Sequence, residues 1–238
     1  MLSVNITKQR RDFVVNVSFE LVRGAALGLF GASGSGKSTV LSCIAGIEEP
    51  DDGNIRLHDL ALFPPSLPLH QRPVGYLTQE PNLFPHLSVR DNVFFGVTRS
   101  ASNGHLPAEI SQWVNELRDR LELGALWDAP ASRISGGQAR RVSLARTMAR
   151  RPALLLIDEP FTGLDRQLVR QLIDDLIFWN QELGFTMIAV DHQAEVLERL
   201  CPQQALVLEK GQVVQRGSWE ELRRSPATAQ LQSLLSPL

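Results

Sequence analysis

Apolar and polar residues alternate strictly near the start of the chain, with Val15, Val17, Phe19 and Leu21 set against Asn16, Ser18 and Glu20. A period of two predicts a strand with one buried face over residues 12–22. Arg23-Gly24 then turn the chain into an unbroken apolar run, Ala25 to Phe30, which reads as a strand buried on both faces. Thr39 to Ile44 reads as the first turns of a helix, and Asp51-Asp52-Gly53-Asn54 as a turn before a short strand, Ile55 to Leu57. Pro64, Pro65, Pro68 and Pro73 crowd residues 59–73, which predicts a surface connection without a regular element. Further on, Ile110, Trp113, Val114, Leu117 and Leu121 fall at i, i+3, i+4, i+7 and i+11. That spacing predicts an amphipathic helix with Pro107 near its start, Gly124 past its end and a polar loop, Ser100 to Gly104, before it. Ala153–Ile157 and Phe185–Val190 are apolar runs of strand length, and Val169, Leu172, Ile173, Leu176 and Ile177 between them carry helical spacing. Lys210-Gly211 separates Ala205–Glu209 from Gln212–Gln215 and reads as a hairpin turn. Strands alternating with helices predict an α/β fold with a mostly parallel sheet, and the stretch 85–150 reads as a mostly helical insertion.

Composition narrows this picture only slightly. A chain of 238 residues accommodates one large α/β domain with a smaller subdomain. The net charge of −2 offers no general attraction for nucleic acid. Arg140, Arg141, Arg146, Arg150 and Arg151 are clustered, but no aromatic residues interleave with them, so they read as a solvated helix face rather than a nucleic-acid surface. Cys43 and Cys201 lack any metal-like spacing and read as small buried residues in a reducing compartment. No apolar run approaches the ~18 residues of a membrane span. Arg10-Arg11-Asp12-Phe13 looks like the opening of a twin-arginine export signal. The alternation that follows is strand-like rather than an apolar signal core, so export is not expected.

Three segments carry chemistry. Gly31-Ala32-Ser33-Gly34-Ser35-Gly36-Lys37-Ser38-Thr39 has the spacing G-x-x-x-x-G-K-[ST], between a strand and a helix. Glycines let consecutive N–H groups face one anion at the positive end of the helix. Lys37 would bridge the outer phosphates of a nucleoside triphosphate and Ser38 would ligate Mg²⁺; the chain has only three lysines, and one sits here. Leu154 to Ile157 ends in Asp158-Glu159, two carboxylates at the tip of a buried strand. Asp158 would hold the Mg²⁺, directly or through water, and Glu159 would polarise an attacking water. Ile134-Ser135-Gly136-Gly137-Gln138 precedes a helix that Ser135 is suited to cap, and the two glycines allow close backbone approach to an anion.

With that last segment the sequence resembles the nucleotide-binding subunits of ATP-binding cassette (ABC) transporters, whose signature is L-S-G-G-Q; here Ile134 replaces the usual Leu. The resemblance covers nearly the whole chain. It implies a P-loop NTPase (RecA-like) core over 1–84 and 151–238, an N-terminal antiparallel β region and an α-helical subdomain over 85–150. It implies that Ser135, Gly136, Gly137 and Gln138 bind the γ-phosphate of ATP held by a second subunit, so that the working unit is a head-to-tail homodimer. Gln79 matches a residue that senses Mg²⁺ and water, and Asp165, in Gly163-Leu164-Asp165, one that crosses to the other subunit. His192 matches a switch histidine on the γ-phosphate, although Asp191 stands where Ser or Thr is usual. Phe13 is placed to stack on adenine, or else is a core strand residue. The Mg²⁺ set implied is Ser38, Gln79 and Asp158. Leu83 to Val93 and Asp158-Glu159-Pro160-Phe161 are typical of importers, with apolar side chains lining a groove for a coupling helix. Integral membrane permease subunits, indirectly a substrate-binding protein, and a peripheral position on the cytoplasmic face of the membrane are implied with them. The chain looks most like molybdate importer ATPases, with thiamine and sulfate close behind, although molybdate and sulfate ATPases often carry a C-terminal regulatory domain and only a short tail follows Leu222. Exporters and lipid-extraction ATPases are the alternative. Soluble ABC ATPases of DNA repair or translation usually carry a coiled-coil insertion or a second cassette.

Overall fold

A computed structural model describes residues 1–98, 107–161 and 163–236; the polar loop expected at Ser100–Gly104 lies outside them. The chain forms two compact units. The first comprises Met1–Val74, Ala153–Glu159 and Leu176–Leu238, and the second Gly75–Pro152 and Pro160–Asp175.

The elements in chain order are β1 (Leu2–Gln9), β2 (Val14–Leu21), β3 (Ala26–Phe30), α1 (Lys37–Ala45), β4 (Asp52–Leu57), β5 (Leu60–Phe63), β6 (Val74–Leu77), α2 (Val89–Thr98), α3 (Ala108–Arg120) and α4 (Gly136–Ala149). They continue with β7 (Leu154–Asp158), α5 (Arg166–Leu183), β8 (Thr186–Val190), α6 (Ala194–Leu200), β9 (Ala205–Glu209), β10 (Gln212–Gly217), α7 (Trp219–Arg224) and α8 (Ala229–Leu235).

In the first unit the strands lie in the order β5-β4-β1-β2-β10-β9-β3-β8-β7. The pairings β9–β3, β3–β8 and β8–β7 are parallel. β10 also joins β2 in parallel, whereas β5–β4, β4–β1, β1–β2 and β9–β10 are antiparallel, so the sheet has the parallel core and the antiparallel N-terminal region expected of it. β8 is buried at every position and β7 at all but its last, as strands covered on both faces must be. β2 buries Val15, Val17, Phe19 and Leu21 and exposes Asn16, Ser18 and Glu20. β1 repeats that pattern with Leu2, Val4 and Ile6, which the reading of the sequence passed over. β5 overturns the expectation of no regular element over 59–73: Leu60–Phe63 pair with β4 because the prolines begin only after them.

Helices cover the core strands. Trp219 meets Phe30 edge to face with ring centroids 5.7 Å apart and donates its Nε1–H to the Cys201 carbonyl at 2.8 Å. Gly28 makes room for it, since a Cβ there would lie 2.9 Å from the indole. Cys43 and Cys201 are both buried free thiols, and burial pushes Cys43 up to about 11.

Arg72 secures the far end of α1. Arg72 is 2% exposed, and its guanidinium donates to the carbonyls of Ile44 (2.9 Å), Leu67 (2.7 Å) and Leu62 (3.0 Å). Gly46 caps the same end at φ 86°, and a Cβ on it would sit 2.3 Å from Arg72 Cζ. Removing this side chain leaves several buried carbonyls without donors. Arg72→Ala is expected to lower unfolding stability by about 3 kcal/mol. Urea unfolding of the full chain measures this, and a loss below about 1 kcal/mol contradicts it.

In the second unit α3 buries Trp113, Val114 and Leu117, with Pro107 at its N-cap. Trp113 donates to the Met148 carbonyl of α4 at 2.8 Å. The clustered arginines are not a uniformly solvated face. Arg141 pairs with Glu122 at 2.7 Å, Arg146 donates to the carbonyls of Asn82 and Pro81, and Arg151 lies 5.4 Å over the Trp113 ring. Asn92, fully buried, ties Phe84 on both its N–H and C=O, which fixes the loop before α2.

Candidate nucleotide site

The glycine-rich loop runs from the end of β3 into α1. Gly31, Gly34 and Gly36 adopt φ of 144°, 77° and 105°, conformations that side-chain-bearing residues rarely take. A Cβ on Gly31 would lie 2.2 Å from the Leu208 carbonyl oxygen. The hairpin between β9 and β10 braces the loop: Lys210 and Gly211 both have positive φ, as a type I′ turn requires, and Gly211 N–H donates to the Ser35 carbonyl at 2.9 Å. The hairpin was expected, but its contact with the loop was not.

Lys37 opens α1. Its ammonium donates to the carbonyls of Gly31 (2.8 Å) and Ala32 (2.9 Å), so it lies curled within its own loop. Burial pushes its pKa below the ordinary lysine value, against the raising influence of Glu159 and Asp158. Ser35 Oγ is buried and, among the described residues, has no hydrogen-bond partner. Ser38 Oγ donates to Asp158 Oδ1 at 3.2 Å, which joins the loop to the tip of β7.

Glu159 follows Asp158 with φ 47° while its N–H bonds to the Val190 carbonyl at the end of β8. A non-glycine residue in that region stores on the order of 1–3 kcal/mol and is common at functional sites. His192 comes from the loop after β8. Its Nδ1 stands 3.5 Å from Asp191 Oδ1 and 3.9 Å from Glu159 Oε2, and its side chain is 53% exposed. Asp191 is buried, and burial raises its pKa while a bond from Gln193 N–H at 2.9 Å opposes that rise. The carboxylate thus shapes the turn that presents His192.

A cavity of about 510 Å³ collects much of this chemistry. Phe13, Ser33, Gly34, Gly36, Lys37, Ser38, Thr39 and Glu159 line it, together with Arg10, Arg11 and Asp12. Phe13 precedes β2 and sits beside the loop, its ring edge 3.4 Å from where a Cβ on Gly36 would lie. Arg10, Arg11 and Asp12 are the residues of this wall that the sequence does not point to, and Arg10 is the one bonded to the helix that follows the loop. Nothing in its local sequence distinguishes it from a surface arginine.

Gln79, Ser135–Gln138 and Asp165 belong to the second unit. Gln79 is exposed after β6. Ser135 caps α4 in a reciprocal box: its Oγ accepts from Gln138 N–H at 3.3 Å, and Gln138 Oε1 accepts from Ser135 N–H at 2.8 Å. No side-chain or backbone atom beyond the helix itself lies within 4 Å of a Cβ built on Gly136, whereas one on Gly137 would meet Leu168 at 3.3 Å. Asp165 Oδ1 caps α5 by accepting from Gln167 and Leu168 N–H. The signature turn and the Asp165 turn are thus neighbours within one unit.

The family model for ABC transporters matches residues 14–162. The chain is 37% identical over 229 residues to a probable sulfate/thiosulfate import ATP-binding protein of Chlorella vulgaris, covering 95% of this chain and 94% of that one. It is 40% identical over 215 residues to a sulfate/thiosulfate import ATP-binding protein of Acinetobacter baylyi, of which it spans 60%. A molybdate/tungstate import ATP-binding protein of Thermococcus kodakarensis is 37% identical over 234 residues, 68% of its length. Among solved structures, a dimeric ATP-binding cassette in a post-hydrolysis state with ADP and Pi superposes with a TM-score of 0.78 at 25% identity, over 92% of this chain and 98% of that one. By the family match and by these relatives, the chain belongs to the ABC transporter family as an ATP-binding domain.

Proposed function

We propose that this chain is the ATP-hydrolysing subunit of an importer, coupling ATP binding and hydrolysis in a head-to-tail homodimer to solute uptake through membrane permease subunits. The observation that carries the reading is the convergence of Lys37, Ser38, Asp158, Glu159 and His192 on the ends of β3, β7 and β8. The loop fits a polyphosphate: three glycines at positive φ, a buried hydroxyl without a partner on Ser35, and an ammonium pointing inward. The donors fit Mg²⁺, which takes hard oxygens from one or two side chains and completes its shell with water and phosphate. Ser38 Oγ and the Asp158 carboxylate would hold it, and it would neutralise charge on the phosphates. Among the described residues no group of three or more His, Cys, Asp or Glu side chains is placed to hold a metal unaided.

Lys37 would leave the Gly31 and Ala32 carbonyls and turn to the outer phosphates. Glu159 would orient and polarise the attacking water, and His192, held by Asp191 beside it, would reach the γ-phosphate. Phe13 would stack on adenine. Ser135, Gly136, Gly137, Gln138 and Asp165 would reach the ATP of a second copy, and no residue of one chain needs to do both. A single copy then hydrolyses slowly. Specific ATPase activity of the purified chain is expected to rise with protein concentration and level off; constant specific activity over a hundredfold dilution, on the order of the range a weak dimer spans, contradicts the shared site.

The import direction is supported by relatives named for import of sulfate/thiosulfate, molybdate/tungstate and Fe(3+) ions. Molybdate was the cargo favoured by the sequence; sulfate/thiosulfate recurs more often among these relatives, and both are tetrahedral oxyanions. We therefore propose an oxyanion cargo selected by the permease and its binding protein. Among the described residues no helix is long and apolar enough to cross a membrane. The likeness to import ATP-binding proteins supports a peripheral place on the cytoplasmic face beneath the permease. Phe84, in the Leu83–Val93 region proposed to receive it, has its ring centroid 4.2 Å from that of Phe95 on α2, with Arg146 over the Phe84 ring.

A further inference from the structure

Arg10 lies in the turn between β1 and β2, in the segment that resembles an export signal. Its Nε and Nη2 both donate to a single atom, Thr39 Oγ1, at 3.0 and 2.8 Å. The same Nη2 also donates to Glu48 Oε1 at 2.9 Å, which gives the guanidinium a second anchor. Arg10 and Thr39 line the same cavity as Lys37 and Phe13. A threonine hydroxyl has two acceptor lone pairs and one proton. Both lone pairs are taken here by one cation, and among the described residues the hydroxyl donates to no group. Two N–H groups arriving at the oxygen leave donation of the hydroxyl proton as the bond Thr39 still has to offer, two residues beyond Lys37.

We infer that Arg10 is a positioning residue for nucleotide binding: it fixes the Thr39 hydroxyl as a hydrogen-bond donor to a phosphate oxygen and places a positive charge behind it. The inference rests on the nucleotide reading of the cavity. The ligand chemistry it names is a nucleoside diphosphate or triphosphate, because the contact is to the part of the phosphate chain that the glycine loop holds rather than to the departing group. A guanidinium suits this task better than an ammonium, since its planar fork gives two parallel donors from one fixed plane. Glu48 keeps that fork from turning outward.

The test is calorimetric titration of the full chain with ADP, without Mg²⁺ so that Ser38 and Asp158 contribute little. Arg10→Ala is expected to weaken ADP binding by about tenfold, the size of one charge-assisted hydrogen bond. Arg10→Lys, which retains charge but not the fork, is expected to lose about threefold, within that same range. In a Thr39→Val background Arg10→Ala is expected to cost less than about twofold, because the partner is gone. A merely structural role for Arg10 predicts instead the same loss in both backgrounds and a fall in the melting temperature of the nucleotide-free chain. Either that result, or ADP binding by Arg10→Ala and Arg10→Lys equal to the unsubstituted chain, overturns the inference. Failure of the unsubstituted chain itself to bind ADP overturns the nucleotide reading beneath it.

Discussion

Glu159→Gln is expected to retain ATP and lose turnover. Glu159 stands at the tip of β7 with its backbone at φ 47° and its carboxylate 3.9 Å from His192. Glutamine has nearly the same shape and keeps one acceptor oxygen, so the geometry of the β7 tip and of the Val190 contact should persist. What disappears is a basic oxygen beside the attacking water. A positioned general base contributes roughly 10²–10⁴-fold to such a step, and the variant should hydrolyse ATP slower by that factor. ATP affinity should stay within about twofold, because no contact to the phosphates depends on the Glu159 charge. Phosphate release measured beside equilibrium ATP binding separates the two effects. Turnover close to normal removes Glu159 as the water-polarising group.

The second large effect falls on Lys37. Its ammonium is partly buried, bonded to the carbonyls of Gly31 and Ala32, and destabilised more by desolvation than Glu159 and Asp158 stabilise it. Such a group serves folding poorly, and Lys37→Ala is expected to leave the melting temperature of the nucleotide-free chain unchanged or higher. Its use is in binding. Losing charge-assisted bonds to two phosphates at about 1.5–3 kcal/mol each should weaken ADP and ATP by at least ~100-fold. Unchanged affinity in a folded variant contradicts the phosphate-loop assignment. Taken together, the two substitutions should divide binding from chemistry: Lys37→Ala fails at the first, Glu159→Gln at the second.

Much of this arrangement is legible in the sequence, for identifiable physical reasons. β2, β3, β7 and β8 announce themselves because burial on one or two faces imposes alternation or unbroken apolarity over at least five residues. α5 shows because eighteen residues give several turns of periodicity. α6, α7 and α8 span seven, six and seven residues, too few for a period to emerge. β5 was hidden by the prolines after it, although Leu60–Phe63 contain none. The loop and the Asp158-Glu159 pair are written in contiguous residues, so spacing places them correctly on their elements. Arg10, Gly211 and Glu48 are brought to the loop by β-sheet pairing and by α1, across 25 or more residues of chain in Arg10's case, and no local spacing records that. Asp191 likewise gains its part in presenting His192 only through the turn it makes with Gln193.

The central claim is that each chain carries half of two shared sites. Light scattering of purified Glu159→Gln tests it directly, because slow hydrolysis preserves the ATP-bound state. With saturating ATP the variant should have the mass of two chains, and without nucleotide that of one. Adding Ser135→Arg, which places a bulky side chain at the exposed start of α4, should return it to one chain while ATP still binds once per chain. A Glu159→Gln chain that stays single while ATP-saturated, or a pair that Ser135→Arg leaves intact, contradicts the shared site.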